Sequence, residues 1–574
     1  MKLSSFPSRI PLLILFVVLT LSGCQLWTEK KTTSSSTKPH AELASNTVSA
    51  HSEPAIAFEE VASDSGLNFR WPSLKRPLDI YETLGYGCAF FDYDNDGWQD
   101  ILLVGKSAPA LFHNLKDGKF ENVSAVAGLD KITGLWNGCA IGDYDGDGFD
   151  DILLNGYHSL ALLKNQAGRT WKNVTTLAGL SPQNRNYIGS GGGFMDLDGN
   201  GSLDLVLLNY VKFGPKDKQH CEAVAGFLDA CVPSTYKSDF PELWRNDGKG
   251  RFQDISREAG FPSLHGKALT LAFADFNNDS RQDFYIGNDG TPADFMLNQG
   301  KMRFRNIGRS SGAAYGMISG HPIAAMGADW SDFDRDGHLD LIVAGFSDEA
   351  ASLLRNTGNS VFENVSETTE LAGITMNPLE FGAKWVDFEN DGWPDLALAC
   401  GHVFEHAEQL NPLSPYRQPL LFVHNQPGPA SKRRFTNISL SLDKSLLKPI
   451  VGRGLATGDY DNDGRMDLLV VDAEGTPLLL HNVSPKKHHW ITFSLKGRGA
   501  NRLALGAQIV ARDGKKIWIS QVSPTSSYLS SSDPRVHFGL GETAKLESVV
   551  VKWPSGKQTS LRDVSVDQIL ELRE

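Results

Sequence analysis

Between residues 56 and 482 the apolar residues fall into runs of four to six, such as GCAFF, ILLVG, GCAIG, ILLNG, LVLLN and LIVAG, bounded by Gly, Asn and Asp. Runs of that length framed by turn residues read as strands, and pairs of them flanking one turn read as β-hairpins. The turn is an acidic nine-residue pattern that recurs seven times. Its copies begin at Asp92 (DYDNDGWQD), Asp143 (DYDGDGFDD), Asp196 (DLDGNGSLD), Asp275 (DFNNDSRQD), Asp332 (DFDRDGHLD), Asp387 (DFENDGWPD) and Asp459 (DYDNDGRMD). Flanking strands exclude the helix–loop–helix of an EF-hand.

Two further marks recur in phase. An apolar stretch ending in Asn follows each hairpin, at Asn114, Asn165, Asn246, Asn298, Asn356, Asn425 and Asn482. After six of these comes a short aromatic segment centred on Phe120, Trp171, Phe252, Phe304, Phe362 or Phe435. Four short strands per repeat of about 50 residues, seven times over, predict a seven-bladed β-propeller. No aromatic strand follows Asn482. The missing one is Ile56–Val61, so the amino-terminal strand should complete the seventh blade and close the ring, leaving no exposed blade edge there.

The periodicity stops after residue 484. Residues 485–574 read as a small β domain with strand-like runs at Trp490, Gln508, Lys516 and Ser548 and a hairpin turn at Asp513-Gly514. Its aromatics Trp490, Trp518, Tyr528 and Trp553 could form either a binding surface or a packed core. The fold expected for 54–574 is therefore all-β: a propeller over 54–484, then this small domain.

Charge enters through the loops. Lys plus Arg number 55 against 68 for Asp plus Glu, a net charge of −13, which offers no basic surface for nucleic acid or anionic lipid. Carboxylates on alternate residues of a tight turn supply hard oxygen ligands at the density Ca²⁺ requires. Side chains at positions 1, 3, 5 and 9 are the candidate ligands. They are Asp92, Asp94, Asp96 and Asp100; Asp143, Asp145, Asp147 and Asp151; Asp196, Asp198, Asn200 and Asp204; Asp275, Asn277, Asp279 and Asp283; Asp332, Asp334, Asp336 and Asp340; Asp387, Glu389, Asp391 and Asp395; and Asp459, Asp461, Asp463 and Asp467. The loops at Asp92, Asp143, Asp332 and Asp459 carry the full set of acids plus Gly and should bind best. The loop at Asp275, with Asn277 and with Ser280 in place of Gly, should be the weakest.

The amino terminus reads as an export signal. Lys2 and Arg9 precede the apolar run Ile10–Leu21, too short to span a bilayer well. The following Leu21-Ser22-Gly23-Cys24 resembles the lipobox of bacterial lipoproteins, which implies cleavage after residue 23, acylation of Cys24 and, by the sorting rule attached to Gln25, the outer membrane of a Gram-negative cell. An ordinary secretory signal is the alternative. Residues 24–53 are polar and Ser/Thr-rich, a flexible tether. In an oxidising compartment Cys221 and Cys231 are expected to form a disulfide, whereas Cys88, Cys139 and Cys400 read as small buried residues.

The repeats resemble the FG-GAP/VCBS repeats of integrin-like calcium-binding propellers. Together with Asn501-Arg502, Leu505-Gly506-Ala507, Tyr528-Leu529, His537–Gly541 and Val551–Gly556 they are similar to the cartilage acidic protein-like family, whose carboxyl-terminal module is the ASPIC/UnbV domain. The chain departs from that family at Cys400-Gly401-His402, where Asn-Gly-His is usual. The function expected is a calcium-binding propeller acting as a binding, adhesion or scaffold module for an extracellular protein or glycan, with no nucleic acid partner, given the acidic charge, and with the membrane reached through the lipid alone. No G-x-S-x-G, phosphate-binding loop or H-E-x-x-H occurs. His402–His406 fits H-x-x-E-H by letter, but it follows a strand, whereas zinc chemistry needs both His on one helix face. A hydrolase or lyase acting on an extracellular polymer is the alternative function. The long insertions 209–242 and 401–420 are the candidate ligand-binding loops.

Overall fold

The computed structural model describes residues 56–181, 187–316, 320–429 and 432–574. The export signal, Cys24 and the tether lie outside the described residues. Seven four-stranded antiparallel blades carry the chain from Phe58 to Asn482; the second and third are joined through Ile188 opposite Tyr157, and the first is extended by Ser531 lying parallel beside Ala89. The first blade runs Cys88–Phe91, Asp100–Leu103, Ala110–Asn114 and Phe120–Asn122 from the axis outward. The other six repeat that order, and their innermost strands begin at Gly134, Tyr187, Ala268, Ala328, Glu380 and Gly452. Each innermost strand packs against those of its two neighbours, and the strand of blade seven packs against that of blade one, so the ring is closed.

Closure uses the amino-terminal strand as expected. Phe58–Glu60 pairs antiparallel with Leu478–Asn482, with Phe58 opposite Asn482 and Glu60 opposite Leu480. The Phe58 ring then packs edge-on against Phe388 and against Phe422 of blade six. The aromatic strands elsewhere behave alike, since Phe120, Trp171, Phe252, Phe362 and Phe435 are all buried between adjacent blades. Burying one such ring contributes roughly 2 to 3 kcal/mol, and this supplies the blade-to-blade cohesion.

The carboxyl-terminal domain comprises a three-stranded sheet (His489–Lys496, Val536–Gly541, Gln568–Arg573) and a four-stranded one built from Lys516–Gln521, Gln508–Asp513, Lys545–Lys552 and Gln558–Ser565. Trp518, Tyr528 and Trp553 are buried, which resolves the two readings of these aromatics in favour of packing. Trp490 lies against Gly464 and stacks on His537.

This domain sits on the acidic-loop side of the ring. Arg535 donates to the Asp459 carbonyl at 2.7 Å and to Asn462 at 2.6 Å, His537 meets Asn390 at 2.8 Å, and Gln508 donates to Asn278 at 2.9 Å. From it a tight hairpin, Thr525–Ser526 against Ser530–Ser531, runs down the central channel. The Cys88 amide donates to Ser530 Oγ, Cys139 to the Leu529 carbonyl, Ala383 to Ser527 Oγ and Thr457 to Ser532 Oγ. Ser527 bonds Ala328 and Thr270, and Thr525 packs on Gly193, so all seven blades touch the finger. The small residues of the innermost strands make room for it: a Cβ on Gly87 would stand 1.9 Å from the Leu529 carbonyl oxygen.

Candidate functional site

All seven acidic loops share one geometry. The first carboxylate turns back into its own loop, so Asp92 accepts the Asp96 and Gly97 amides, both at 2.9 Å. Asp143, Asp196, Asp275, Asp332, Asp387 and Asp459 do the same with their own fifth and sixth residues. The sixth residue has positive φ in every loop, +89° at Gly97 and +86° at Gly464. Ser280 takes the same region at +66° without the freedom of glycine, a strained choice for an L residue. The ninth carboxylate opens the second strand and accepts the backbone amide of the buried Asn that ends the next strand out: Asp100 from Asn114 at 2.8 Å, Asp283 from Asn298 at 2.7 Å, Asp467 from Asn482 at 2.8 Å.

That same Asn explains the in-phase mark of the sequence. Its side-chain amide donates twice, to the carbonyl just before its own ninth-position acid and to the second residue of the preceding blade's loop. Asn114 reaches Gln99 and Tyr460, Asn165 reaches Asp150 and Tyr93, and Asn482 reaches Met466 and Phe388. Asn246, Asn298, Asn356 and Asn425 complete the circuit through Tyr144, Leu197, Phe276 and Phe333. Each loop is thus stapled to the next blade. Sequence reading found the seven Asn but assigned them no role, because the carbonyl each one seeks lies in another repeat.

Burial raises the ninth-position acids well above the carboxylate range. Asp100 and Asp467 are pushed up to about 7, Asp204 to about 8, and Asp151 and Asp283 to about 9. Desolvation is the leading cause in each, and neighbouring loop acids add to it. Four loops also hold a buried third-position oxygen without a hydrogen-bond partner: Asp94 Oδ1, Asp145 Oδ1, Asp334 Oδ1 and Glu389 Oε2. Buried carboxylates facing one another with unused oxygens form a donor set that a hard divalent cation completes. These groups could hold a metal ion. The loop at Asp275 differs: Asn277 replaces the third acid, and Asp283 Oδ2 lacks the second-position amide that Asp100 and Asp151 receive from Tyr93 and Tyr144.

The opposite face is built by the insertions. His220–Val224 and Phe227–Ala230 form a hairpin closed by the Cys221–Cys231 disulfide, Cα atoms 4.8 Å apart, which bears out the expected pair. Around the channel mouth Leu84, Leu269, Met326, Phe381, Phe404 and Tyr528 line a cavity of about 160 Å³. Tyr528, at the fingertip, donates to the Leu84 carbonyl at 3.1 Å. On one wall Asp289 accepts the Tyr210 hydroxyl at 2.5 Å, and burial raises the Asp289 carboxyl to about 6. His402 lies on this side, buried; Nδ1 accepts the Phe404 amide and Nε2 meets Ser347 at 3.3 Å. Desolvation and the Arg453 cation lower His402 to about 3. His406 instead packs on Phe227. The two imidazoles share no helix, which removes the zinc-protease reading. Cys88, Cys139 and Cys400 are free and buried, as expected, and burial pushes the Cys88 thiol up to about 12.

A model of the FG-GAP-like repeat matches residues 92–154, 143–207, 275–343 and 332–398, and one described as ASPIC and UnbV matches 497–574. The chain carries FG-GAP-like repeats and a carboxyl-terminal ASPIC/UnbV domain. The matched repeats include six of the seven acidic loops; the loop at Asp459 lies outside them yet has the same geometry. The chain is homologous to cartilage acidic protein 1: the Mus musculus protein is 24% identical over 558 residues, covering 85% of this chain and 73% of that one. The Homo sapiens protein is 24% identical over 563 residues, covering 85% and 72%. Among the described residues no helix is long and apolar enough to cross a membrane.

Proposed function

We propose that this chain is an exported, lipid-anchored, calcium-loaded propeller that binds an extracellular protein through the face opposite its acidic loops. One observation carries the reading. The ASPIC/UnbV domain covers the loop face and fills the channel with its finger, whereas the opposite face carries the disulfide-closed hairpin, the apolar cavity and the exposed side chains Leu228, Val232, Leu410 and Leu413. Exposed apolar side chains rimming a concave site are what protein partners bury. FG-GAP-like repeats and unpaired buried carboxylate oxygens support Ca²⁺ in the loops, with a structural role.

Capture of partners by the Ca²⁺-loaded, unlipidated protein, run beside a glycan array, tests the reading. Leu228→Asp with Leu410→Asp should abolish protein capture; capture insensitive to both, or binding to glycans alone, would overturn it. Membrane fractionation of Cys24→Ser tests the anchor, and release from the membrane is expected.

A second reading, an enzyme acting on a polymer, draws on the Asp289–Tyr210 pair, a carboxyl held near 6 beside a hydroxyl in a cavity. Polymer cleavage that disappears in Asp289→Asn would favour it.

A further inference from the structure

In six of the seven loops position 3 faces one more side chain, the residue directly before the stapling Asn. In blades two, three and five that residue is basic. Lys164 pairs with Asp145 and, at 2.8 Å, with Asp147; Arg245 meets Asp198 at 2.7 Å; Arg355 Nε stands 3.5 Å from Asp334 and 3.9 Å from Asp336. In blades six, seven and one, which are contiguous around the ring, it is histidine. His424 Nε2 lies 2.8 Å from Glu389, His481 Nε2 3.8 Å from Asp461, and His113 Nδ1 3.7 Å from Asp94. Blade four is the exception at both sequence positions, with Leu297 before its Asn and the neutral Asn277 at position 3. Where the third position is an acid, its partner is a base; where it is an amide, the residue before the Asn is a hydrocarbon.

We propose that in blades two, three and five this side chain is a built-in rival of the cation. Lys164 holds the third- and fifth-position carboxylates and Arg245 the third, so each must let go, and then stay beside a divalent ion, before its loop can fill; Arg355 faces the same acids at longer range. In blades one and seven the basic side chains Lys116, Arg465 and Lys486 bear on the fifth-position acid instead and leave the third-position acid beside a histidine. The loops at Asp143, Asp196 and Asp332, whose third-position acids face a fixed cation, should therefore bind more weakly than they would without it. This puts the loops at Asp143 and Asp332 below the affinity that their own nine residues suggest. The proposal rests on the calcium reading of the loops.

Calorimetric Ca²⁺ titration of the full soluble chain at fixed ionic strength tests it, with the Ca²⁺-dependent shift in melting temperature as a second readout. Lys164 is partly exposed at the rim, so Lys164→Gln should fold. It should tighten one site about tenfold, the effect of one unit charge a few Å from a divalent ion under near-aqueous screening. The gain should vanish in an Asp145→Asn background, and His481→Lys should weaken one site to a similar degree. Wild-type Ca²⁺ uptake with affinity unchanged or weakened in Lys164→Gln, or a gain that survives Asp145→Asn, would overturn the rivalry alone. Failure of the wild-type protein to take up any Ca²⁺ would overturn the calcium reading with it.

Discussion

Asn114 donates a 2.8 Å hydrogen bond to the Tyr460 carbonyl across 346 residues of sequence, and so fastens the acidic loop of blade seven to the third strand of blade one. Both partners are buried. Six equivalent bonds join the other neighbouring blades, and the circuit makes the loops part of the joints between blades.

Asn114→Ala should destabilise the propeller by about 2 to 4 kcal/mol, because it leaves the Gln99 and Tyr460 carbonyls buried and unpaired. Asn114→Asp should cost at least as much, since a carboxylate cannot donate to either carbonyl. Urea unfolding in saturating Ca²⁺ measures both. A change below about 0.5 kcal/mol for Ala would show that the staple carries no weight.

Removing residues 54–62 should lower the melting temperature of the whole ring, since Phe58 leaves its seat against Phe388 and Phe422 and the Leu478–Asn482 edge is bared. Differential scanning calorimetry of the truncated chain reads this directly, and an unaltered transition would contradict closure by this strand.

The finger should matter to both domains. Tyr528→Ala removes a fully buried ring at the fingertip and should cost about 3 to 5 kcal/mol, whereas Tyr528→Phe loses only the bond to Leu84, about 1 kcal/mol. Equal effects of the two substitutions would place the ring outside the packed channel.

Stability without metal should fall as pH rises. The ninth-position carboxyls keep their protons in the folded chain up to about 7 to 9, while unfolded Asp releases its proton near 4. Their contribution is complete below about pH 4 and is lost as pH climbs through the folded values. Chelated protein should thus melt progressively lower from pH 5 to pH 9. Calcium binding near pH 7 should release protons, because the ion takes the place of those held by Asp151, Asp204 and Asp283. Titrations in two buffers of different ionisation enthalpy measure that release, and identical apparent enthalpies would refute it. With about 1 mM Ca²⁺ and affinities of 10⁻⁴ to 10⁻³ M, each filled site should return roughly 0.4 to 1.4 kcal/mol.

The sequence by itself determined the strands, the seven hairpins, the acid at each loop position, the closing strand at Phe58 and the Cys221–Cys231 pair. These features are local or periodic: strand, turn and Asp spacing are written within one repeat, and seven copies make the pattern unmistakable. Tertiary structure alone decided what each Asn bonds, why Gly87 and Gly193 must be small, and which side chain stands over each third-position acid. Those partners come from the neighbouring blade, from a finger more than 300 residues away, or from a strand that folds back across the sheet. No periodicity along the chain encodes such distances, and only closing the ring and seating the finger brings these groups within hydrogen-bonding reach.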